Sequence, residues 1–449
     1  MEGKVFFLNY KKIHFIGIAG ASMSGLAKFC LTNGFTVSGS DKAATNETKK
    51  LAALGAKVFK GHGLKYARGA ELIVYSSAIA DDNPELVYAR KNGIPILKRS
   101  ELLGQILSLH RLTVAVCGSH GKTTATAMLA EILIAAKLDP TVFLGGDRKT
   151  FGNCRIGSKD YAVCEACEYK RNFLDIHPNV SVILNIDYDH VDTYADISEA
   201  VSAFSLFAAN SLCIVNADDP HARKVFNSST VTFGIKSLAA YQAKYVVCGE
   251  KPSFTVYAYG KRLGRVKLGV SGAHNVCNAL AATAAATELR VPFNAVKSAL
   301  ESFDGVKRRN EYIGEFSGVA CFADYAHHPA EIAAMLKGKG EKVLAVFQPH
   351  TYSRTKALMA DFVKSLSFAD GVVIYRTYPA REKFCAEGDG ERLFEKLRGV
   401  KPTETAYAGG LAALKRELRR RAENYGKILF LGAGDIYETA KKCLKKAGK

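Results

Sequence analysis

Residues 118–124 read Gly118-Ser119-His120-Gly121-Lys122-Thr123-Thr124, residue types suited to holding a nucleoside triphosphate. Glycines let the backbone turn so that successive N–H groups face one phosphate. Lys122 supplies a full positive charge for the β- and γ-phosphates, and Thr123 offers a hydroxyl to Mg²⁺. The strand-like Thr113-Val114-Ala115-Val116 precedes the loop and a helix begins near Lys122, adding the partial positive charge of its N-terminus. The general phosphate-loop pattern has four residues between its glycines, whereas only Ser119 and His120 stand here. The strict motif fails, yet strand, loop, Lys-Thr and helix stand in order. The chemistry expected is ATP binding and hydrolysis.

Two further features could complete a magnesium site. Glu165 follows the strand-like Tyr161-Ala162-Val163-Cys164, with Glu168 three residues on. His190 ends Asn185-Ile186-Asp187-Tyr188-Asp189-His190, just past another strand over 180–184. Strand C-termini are where ligands gather in open α/β sheets, and a hard cation wants oxygen ligands. Singly, Glu165 reads as a strand-end acid and His190 as an ordinary histidine; beside the loop, they read as metal ligands. A second glycine-rich turn spans Gly17 to Gly25. By itself it is weak evidence for a dinucleotide site, since it lacks the GxGxxG spacing and Asp41 comes early for a ribose-binding acid; it aims a helix N-terminus at whatever binds there, which leaves a nucleotide diphosphate open.

The elements that must position these residues alternate. Residues 13–17, 36–41, 57–59, 72–76 and 94–97 read as strands, with a first helix over 23–33, and this rhythm predicts a parallel sheet covered by helices. A second block starts with a strand over 112–118. It continues through strands at 161–164, 180–185 and 212–216, a β-rich stretch over 230–270 and an alanine-rich helix over 275–289. Residues 303–309 read as a charged hinge, and strands at 342–347, 371–378 and 427–431 mark a third block.

At 449 residues, 48% hydrophobic and 23% charged, the chain has the make-up of a globular protein too long for one core. No apolar run approaches the roughly 20 residues that span a bilayer, and residues 1–10 are too short and polar for a secretory signal, so a cytoplasmic location is expected. The formal charge of +19 raises nucleic-acid binding, but the basic residues are dispersed. Their densest cluster, Lys415-Arg416 with Arg419-Arg420-Arg421, sits on a helix-like stretch with no zinc-finger or RNA-binding signature. Polyanionic small substrates fit better, and no nucleic-acid partner is expected. Eleven cysteines, several in apolar strand contexts (Cys117, Cys213, Cys321), read as buried thiols. Cys164 and Cys167 have CxxC spacing but lack the second pair a zinc site needs.

Taken together, these motifs resemble the Mur ligases, ATP-dependent amide-forming enzymes of peptidoglycan precursor synthesis, over essentially the whole chain. His14-Phe15-Ile16-Gly17-Ile18 with Met23-Ser24-Gly25-Leu26-Ala27 resembles the family's UDP-binding start. Ser76-Ser77-Ala78-Ile79 and Asn83-Pro84-Glu85 match the following segments, and His62 lies where a substrate-contacting histidine is expected. Residues 118–124 are similar to the family's short ATP loop, with Ser119 where threonine is usual, and Glu165 and His190 fall at its two magnesium positions. His274-Asn275 and Asn278 match an adenine-binding helix start, and Arg309 a nucleotide-contacting arginine. Asp324-Tyr325-Ala326-His327-His328-Pro329 and the stretch 347–355 resemble the nucleotide and amino-acid sites, and Gly432-Ala433-Gly434-Asp435-Ile436 closes the pattern. Ala19 and Ala21 depart from the usual glycine and isoleucine. Cys164, Cys167 and Tyr169-Lys170 replace a more acidic segment, which leaves Glu165 in place and weakens the expectation of an accessory carboxylate.

The resemblance implies three α/β domains: a Rossmann-like UDP-sugar domain over 1–110, a central P-loop ATPase-type domain over 111–308, and a Rossmann-like amino-acid and nucleotide domain over 309–449. It implies ligation of L-alanine to the lactyl carboxylate of UDP-N-acetylmuramate through an acyl phosphate. ATP and two Mg²⁺ ions would serve it, with Mn²⁺ as a substitute. The alternative is a related ligase adding another amino acid or a preformed peptide; the lack of an insertion between Glu165 and His190 speaks against the tripeptide-adding relative. On this reading Lys122, Glu165, His190 and Arg309 are catalytic. Gly118, Ser119, His120, Gly121, Lys122, Thr123, Thr124, His274, Asn275, Asn278, Arg309 and Asp324 hold ATP. Gly17, Ala19, Gly20, Ser22, Met23, Ser24, Asp41, His62, Ser76 and Ser77 hold the UDP substrate; His327, His350 and Arg354 orient the amino acid; Thr123, Glu165 and His190 hold metal. His327 and His328, as neighbours on a strand, would face opposite ways and so make no transition-metal pair. Domain closure around the substrates is expected, and the choice between monomer and dimer stays open.

Overall fold

The computed structural model describes residues 5–188, 193–337 and 341–445. The chain divides into two compact units, Met1–Val306 and Lys307–Lys449. Among the described residues no helix is long and apolar enough to cross a membrane.

The first unit holds two sheets. One is a five-stranded, all-parallel sheet in the spatial order Lys57–Lys60, Thr36–Asp41, Lys12–Ile16, Leu72–Tyr75, Ile96–Lys98. The chain winds outward from Lys12–Ile16 on one side, then returns to build the other. The order reverses between Lys12–Ile16 and Leu72–Tyr75, and a crevice at the carboxyl ends of such strands is a natural ligand site. Gly17 to Gly20 and Ser76-Ser77 follow those two strands.

The other sheet has ten strands centred on Leu112–Cys117, which pairs in parallel with Val180–Ile183 on one side and Tyr161–Glu165 on the other. Leu112–Cys117 is nearly all apolar because both of its faces are covered. Val114 and Val116 join the core beneath the helices Lys122–Ala135 and His274–Glu288, while Ala115 and Cys117 join the core shared with the first sheet's helices. The antiparallel pair Ser253–Ala258 and Lys261–Lys267 closes one edge. At the other edge stand Thr141–Arg148 and Gly152–Arg155, which no sequence pattern marked as strands because Gly145, Gly146 and Gly152 interrupt the apolar alternation.

The second unit is built on six strands in the order Glu311–Phe316, Val319–Asp324, Lys427–Leu431, Val343–Phe347, Gly371–Tyr375, Thr405–Ala408, parallel except for Glu311–Phe316. The basic cluster lies on the helix Leu411–Arg421, which buries Leu414 and Leu418 and exposes Arg416, Arg419 and Arg420, while Arg421 folds back onto Glu417 (3.2 Å). All eleven cysteines are unpaired thiols, most of them buried.

Candidate active site

The phosphate loop is held from both sides. Gly121 caps the helix Lys122–Ala135 at φ +85°, a left-handed conformation that disfavours side chains, and a Cβ there would stand 2.5 Å from Asn278 Oδ1. Asn278 in turn donates to Asn275 Oδ1 (3.1 Å), and Asn275 to the Ser271 carbonyl (2.7 Å). Of the residues expected to hold adenine, Asn278 therefore packs on the loop's last glycine with Asn275 bonded behind it, while His274 is exposed at the helix start. On the other side Asn185 clamps His120: its Oδ1 accepts from His120 N (2.8 Å) and its Nδ2 donates to His120 O (3.0 Å). Ser119 Oγ accepts from Asp187 N at 2.8 Å.

Lys122 and Thr123 each meet a carboxylate. Lys122 Nζ donates to the Gly118 carbonyl (2.6 Å) and to Glu168, its Oε2 at 2.9 Å. Burial pulls the Lys122 pKa down, but Glu168, Cys167 and Glu165 outweigh it and hold the ammonium above the ordinary lysine range. Thr123 Oγ1 donates to Glu165 Oε2 (3.0 Å), and Glu165 Oε1 accepts from Gly145 N (2.6 Å). Thr124 is buried in the first helical turn. His190 lies outside the described residues. A second carboxylate does stand at the loop despite the less acidic segment: Glu168 is buried against the loop lysine. The Glu-x-x-Glu spacing was its one signal. Gly145, Gly146 and Asn185 carried no signal of their own.

At the first sheet, Gly17 turns at φ +82° with its N–H on the Ser40 carbonyl (2.8 Å). Gly20 N bonds the Gly17 carbonyl and Gly20 caps the helix Ala21–Thr32. Asp41 braces this turn by accepting from Ala19 N (3.0 Å). Ser22 Oγ accepts from Arg99 (2.9 Å), Met23 lies in the core, and buried Ser24 bonds the Ala21 carbonyl and Asn153. Ser76 Oγ would lie 3.8 Å from a Cβ on Gly17, and the Ser77 carbonyl accepts from Lys170 (3.4 Å). His62 hydrogen-bonds Ser40 and Glu85.

In the second unit the three residues expected to orient an amino acid come together. The rings of His327 and His350 stand 5.8 Å apart, His350 stacks on Tyr378, and Arg354 Nη1 reaches His350 Nδ1 at 3.4 Å. Burial, then Arg354, pushes the His350 pKa down to about 4. His327 and His328 lie beyond the end of Val319–Asp324, so the strand argument against a metal pair does not apply; His328 caps the helix Pro329–Leu336 instead. Buried Asp324 accepts from Asn310 N (2.7 Å) and Ala326 N (2.8 Å), and burial raises its pKa despite Arg309. Arg309 lies over Tyr325, its centroid 5.2 Å away. Its neighbour Arg308, not singled out from the sequence, is more committed, donating to the Gly432 and Gly434 carbonyls.

Known proteins resemble this chain in sequence and fold. The chain matches the Mur ligase family catalytic domain over residues 12–111, the Mur ligase middle domain over 116–286 and the Mur ligase glutamate ligase domain over 308–434. It is 40% identical to the UDP-N-acetylmuramate–L-alanine ligase of Clostridium novyi (strain NT), across 97% of this chain and 98% of that protein. Its identity to the protein of the same name from Acetivibrio thermocellus is also 40%, across 97% and 96%. The crystal structure of the UDP-N-acetylmuramate-alanine ligase of Thermotoga maritima superposes with a TM-score of 0.84 at 32% identity, covering 96% of this chain and 98% of that one. A murein peptide ligase from Psychrobacter arcticus shares the fold at a TM-score of 0.74 and 23% identity, covering 97% and 98%. With all three family domains matched in order around a phosphate loop whose lysine and threonine each meet a carboxylate, the chain belongs to the Mur ligase family.

Proposed function

We propose that the chain joins L-alanine to the lactyl carboxylate of UDP-N-acetylmuramate at the expense of ATP, releasing ADP and phosphate, in peptidoglycan precursor synthesis. The observation that carries the chemistry is the convergence of Lys122, Thr123, Glu165 and Glu168 on one loop. A carboxylate is a poor electrophile; its oxygen attacks the γ-phosphorus of ATP and expels ADP, and the amine of alanine then attacks the carbonyl carbon of the resulting acyl phosphate and expels inorganic phosphate. Residues 1–110 take the sugar nucleotide, 111–308 ATP, and 309–449 the amino acid with part of the nucleotide.

Lys122 and the loop N–H groups hold the phosphates and offset the charge that builds as a carboxylate approaches them. Asn278 and Asn185 keep the loop in the shape that does so. Thr123 Oγ1 and Glu165 are oxygen donors 3.0 Å apart, a donor set that suits Mg²⁺, and His190 would be the ligand of a second ion. Bound there, magnesium would supply charge neutralisation at the phosphates; Mn²⁺ would substitute. Arg354, beside a His350 kept neutral by burial, grips the carboxylate of alanine. Arg309 and Asp324 contact the nucleotide.

The test is phosphate release from ATP with UDP-N-acetylmuramate and each candidate amino acid in turn. Release that needs both the sugar nucleotide and L-alanine supports the reading. Release that prefers glutamate or a preformed tripeptide sinks it in favour of a sister activity.

A further inference from the structure

Glu85 is a fully buried carboxylate that the reaction chemistry does not use. It gathers His14 Nε2 at 2.6 Å, Ser40 Oγ at 2.9 Å, His62 Nδ1 at 3.0 Å and the Gly63 N–H at 3.3 Å. Its place follows from the local sequence. Asn83 accepts from Glu85 N, Pro84 opens the helix Pro84–Lys91, and the first helical turn favours an anion. Burial pushes the Glu85 pKa up, but the bonds from His14, Ser40 and His62 outweigh it and hold the group below the usual carboxylate range.

An ionised carboxylate only accepts hydrogen bonds. Nε2 of His14 and Nδ1 of His62 must therefore carry protons. His14 is completed by Ser38 Oγ, 2.8 Å from its Nδ1, and is buried. His62 differs: its side chain is 15% exposed, and its Nε2 has no partner among the described residues. Ser40 links this ring to the glycine turn, since its carbonyl accepts from Gly17 N and Ile18 N while its hydroxyl bonds Glu85.

We propose that Glu85 is a positioning residue for the sugar nucleotide: it fixes the orientation and tautomer of His62 beside the Gly17 turn, so that Nε2 is the atom presented to the substrate. The proposal rests on the reading of residues 1–110 as the sugar-nucleotide domain. Glutamine at position 85 would keep the shape but bring a donor NH₂ group, so one of the two histidines would have to accept instead of donate. A double-mutant cycle isolates the effect, because a residue that acts only through His62 has nothing left to act through once that ring is gone.

The experiment measures KM for UDP-N-acetylmuramate, KM for ATP, kcat and Tm in wild type, Glu85→Gln, His62→Ala and the double variant. Glu85→Gln is expected to raise the sugar-nucleotide KM about tenfold, the worth of one charge-assisted hydrogen bond, with kcat and the ATP KM unchanged. In the His62→Ala background the same change should add less than about twofold, the signature of coupled residues. Full additivity, or a loss spread equally over all kinetic constants in step with Tm, overturns the proposal. If Glu85→Gln does not fold, Ser40→Ala removes one hydroxyl from the same network and must show the same coupling to His62. A wild type whose phosphate release ignores the sugar nucleotide would instead refute the functional reading beneath it.

Discussion

Lys122 Nζ stands 2.9 Å from Glu168 Oε2, and the glutamate side chain is only 3% exposed, so the phosphate loop's cation works against a buried anion. The pair aims the lysine across the loop mouth, where it also bonds the Gly118 and Ser119 carbonyls. Glu168→Gln should lower kcat/KM for ATP by roughly tenfold and stability by about 1–3 kcal/mol, the cost of leaving a buried charge with a weaker partner. The lysine pKa is raised on folding, so its contribution is fully present below the unfolded value of about 10.4 and is lost as pH climbs above it. The stability gap between wild type and variant should therefore stay flat from about pH 6 to pH 9 and close only in strong alkali. Urea unfolding across that range checks it; a variant as stable and as active as wild type would count against the pair.

His350 runs the other way. Its folded pKa of about 4 lies below the unfolded value of about 6.5, so the stability it contributes is present above pH 6.5 and is lost as pH falls toward 4. Allowing for partial exposure, the loss is on the order of 1–2 kcal/mol. The KM for alanine should rise over the same window, because a protonated His350 beside Arg354 can no longer accept its hydrogen bond. His350→Gln should flatten both dependences, read by urea midpoints and initial rates between pH 7 and 4.5. A wild type whose midpoint is constant over that window would remove the premise.

Some of these relationships could be read in the chain before its structure and others could not, for a physical reason. Strand 112–117, its glycine loop and the helix after it are written locally, in an apolar run, two glycines and an alanine-rich helix former. Thr123 and Glu165 could be guessed as partners because each ends or follows a recognisable strand. Asn185 clamping His120, and Asn278 seated on Gly121, depend on contacts between elements 65 and more than 150 residues apart, which no local pattern encodes. Glu168 was visible as a residue, but its burial was not. The Thr141–Arg148 strand was hidden by its glycines, and those glycines are there because Glu165 and Thr123 approach them closely.

Glu165 and Thr123 make a prediction about metal dependence. Glu165→Gln keeps the bond to Gly145 N within reach but removes the negative charge a hard cation needs. Phosphate release should fall by about a hundredfold or more at low magnesium, the scale of losing one electrostatic stabiliser, and part of it should return as the ion is raised. Thr123→Val should behave alike, while the KM for the sugar nucleotide stays unchanged in both. A loss that excess magnesium does not touch in either variant would argue against metal ligation by this pair.

Gly146 allows a test of how closely the edge strand supports the loop. A Cβ at this position would stand 2.8 Å from Thr123 Cγ2 and 2.9 Å from Val306 Cγ1, closer than carbon atoms tolerate. The obstacle is steric alone, since no left-handed backbone is involved there. Gly146→Ala should therefore push Thr123 off Glu165 and cost about 1–3 kcal/mol of stability together with most of the activity. Thr123→Ser deletes the clashing methyl while keeping the hydroxyl that meets Glu165 Oε2, and Val306→Ala clears the second contact. Combining both changes with Gly146→Ala should recover much of the lost phosphate release, even though each of them alone gains nothing in the parent chain. Failure of the triple variant to recover, with Thr123→Ser and Val306→Ala each active by themselves, would mean that Gly146 is needed for something other than room beside Thr123.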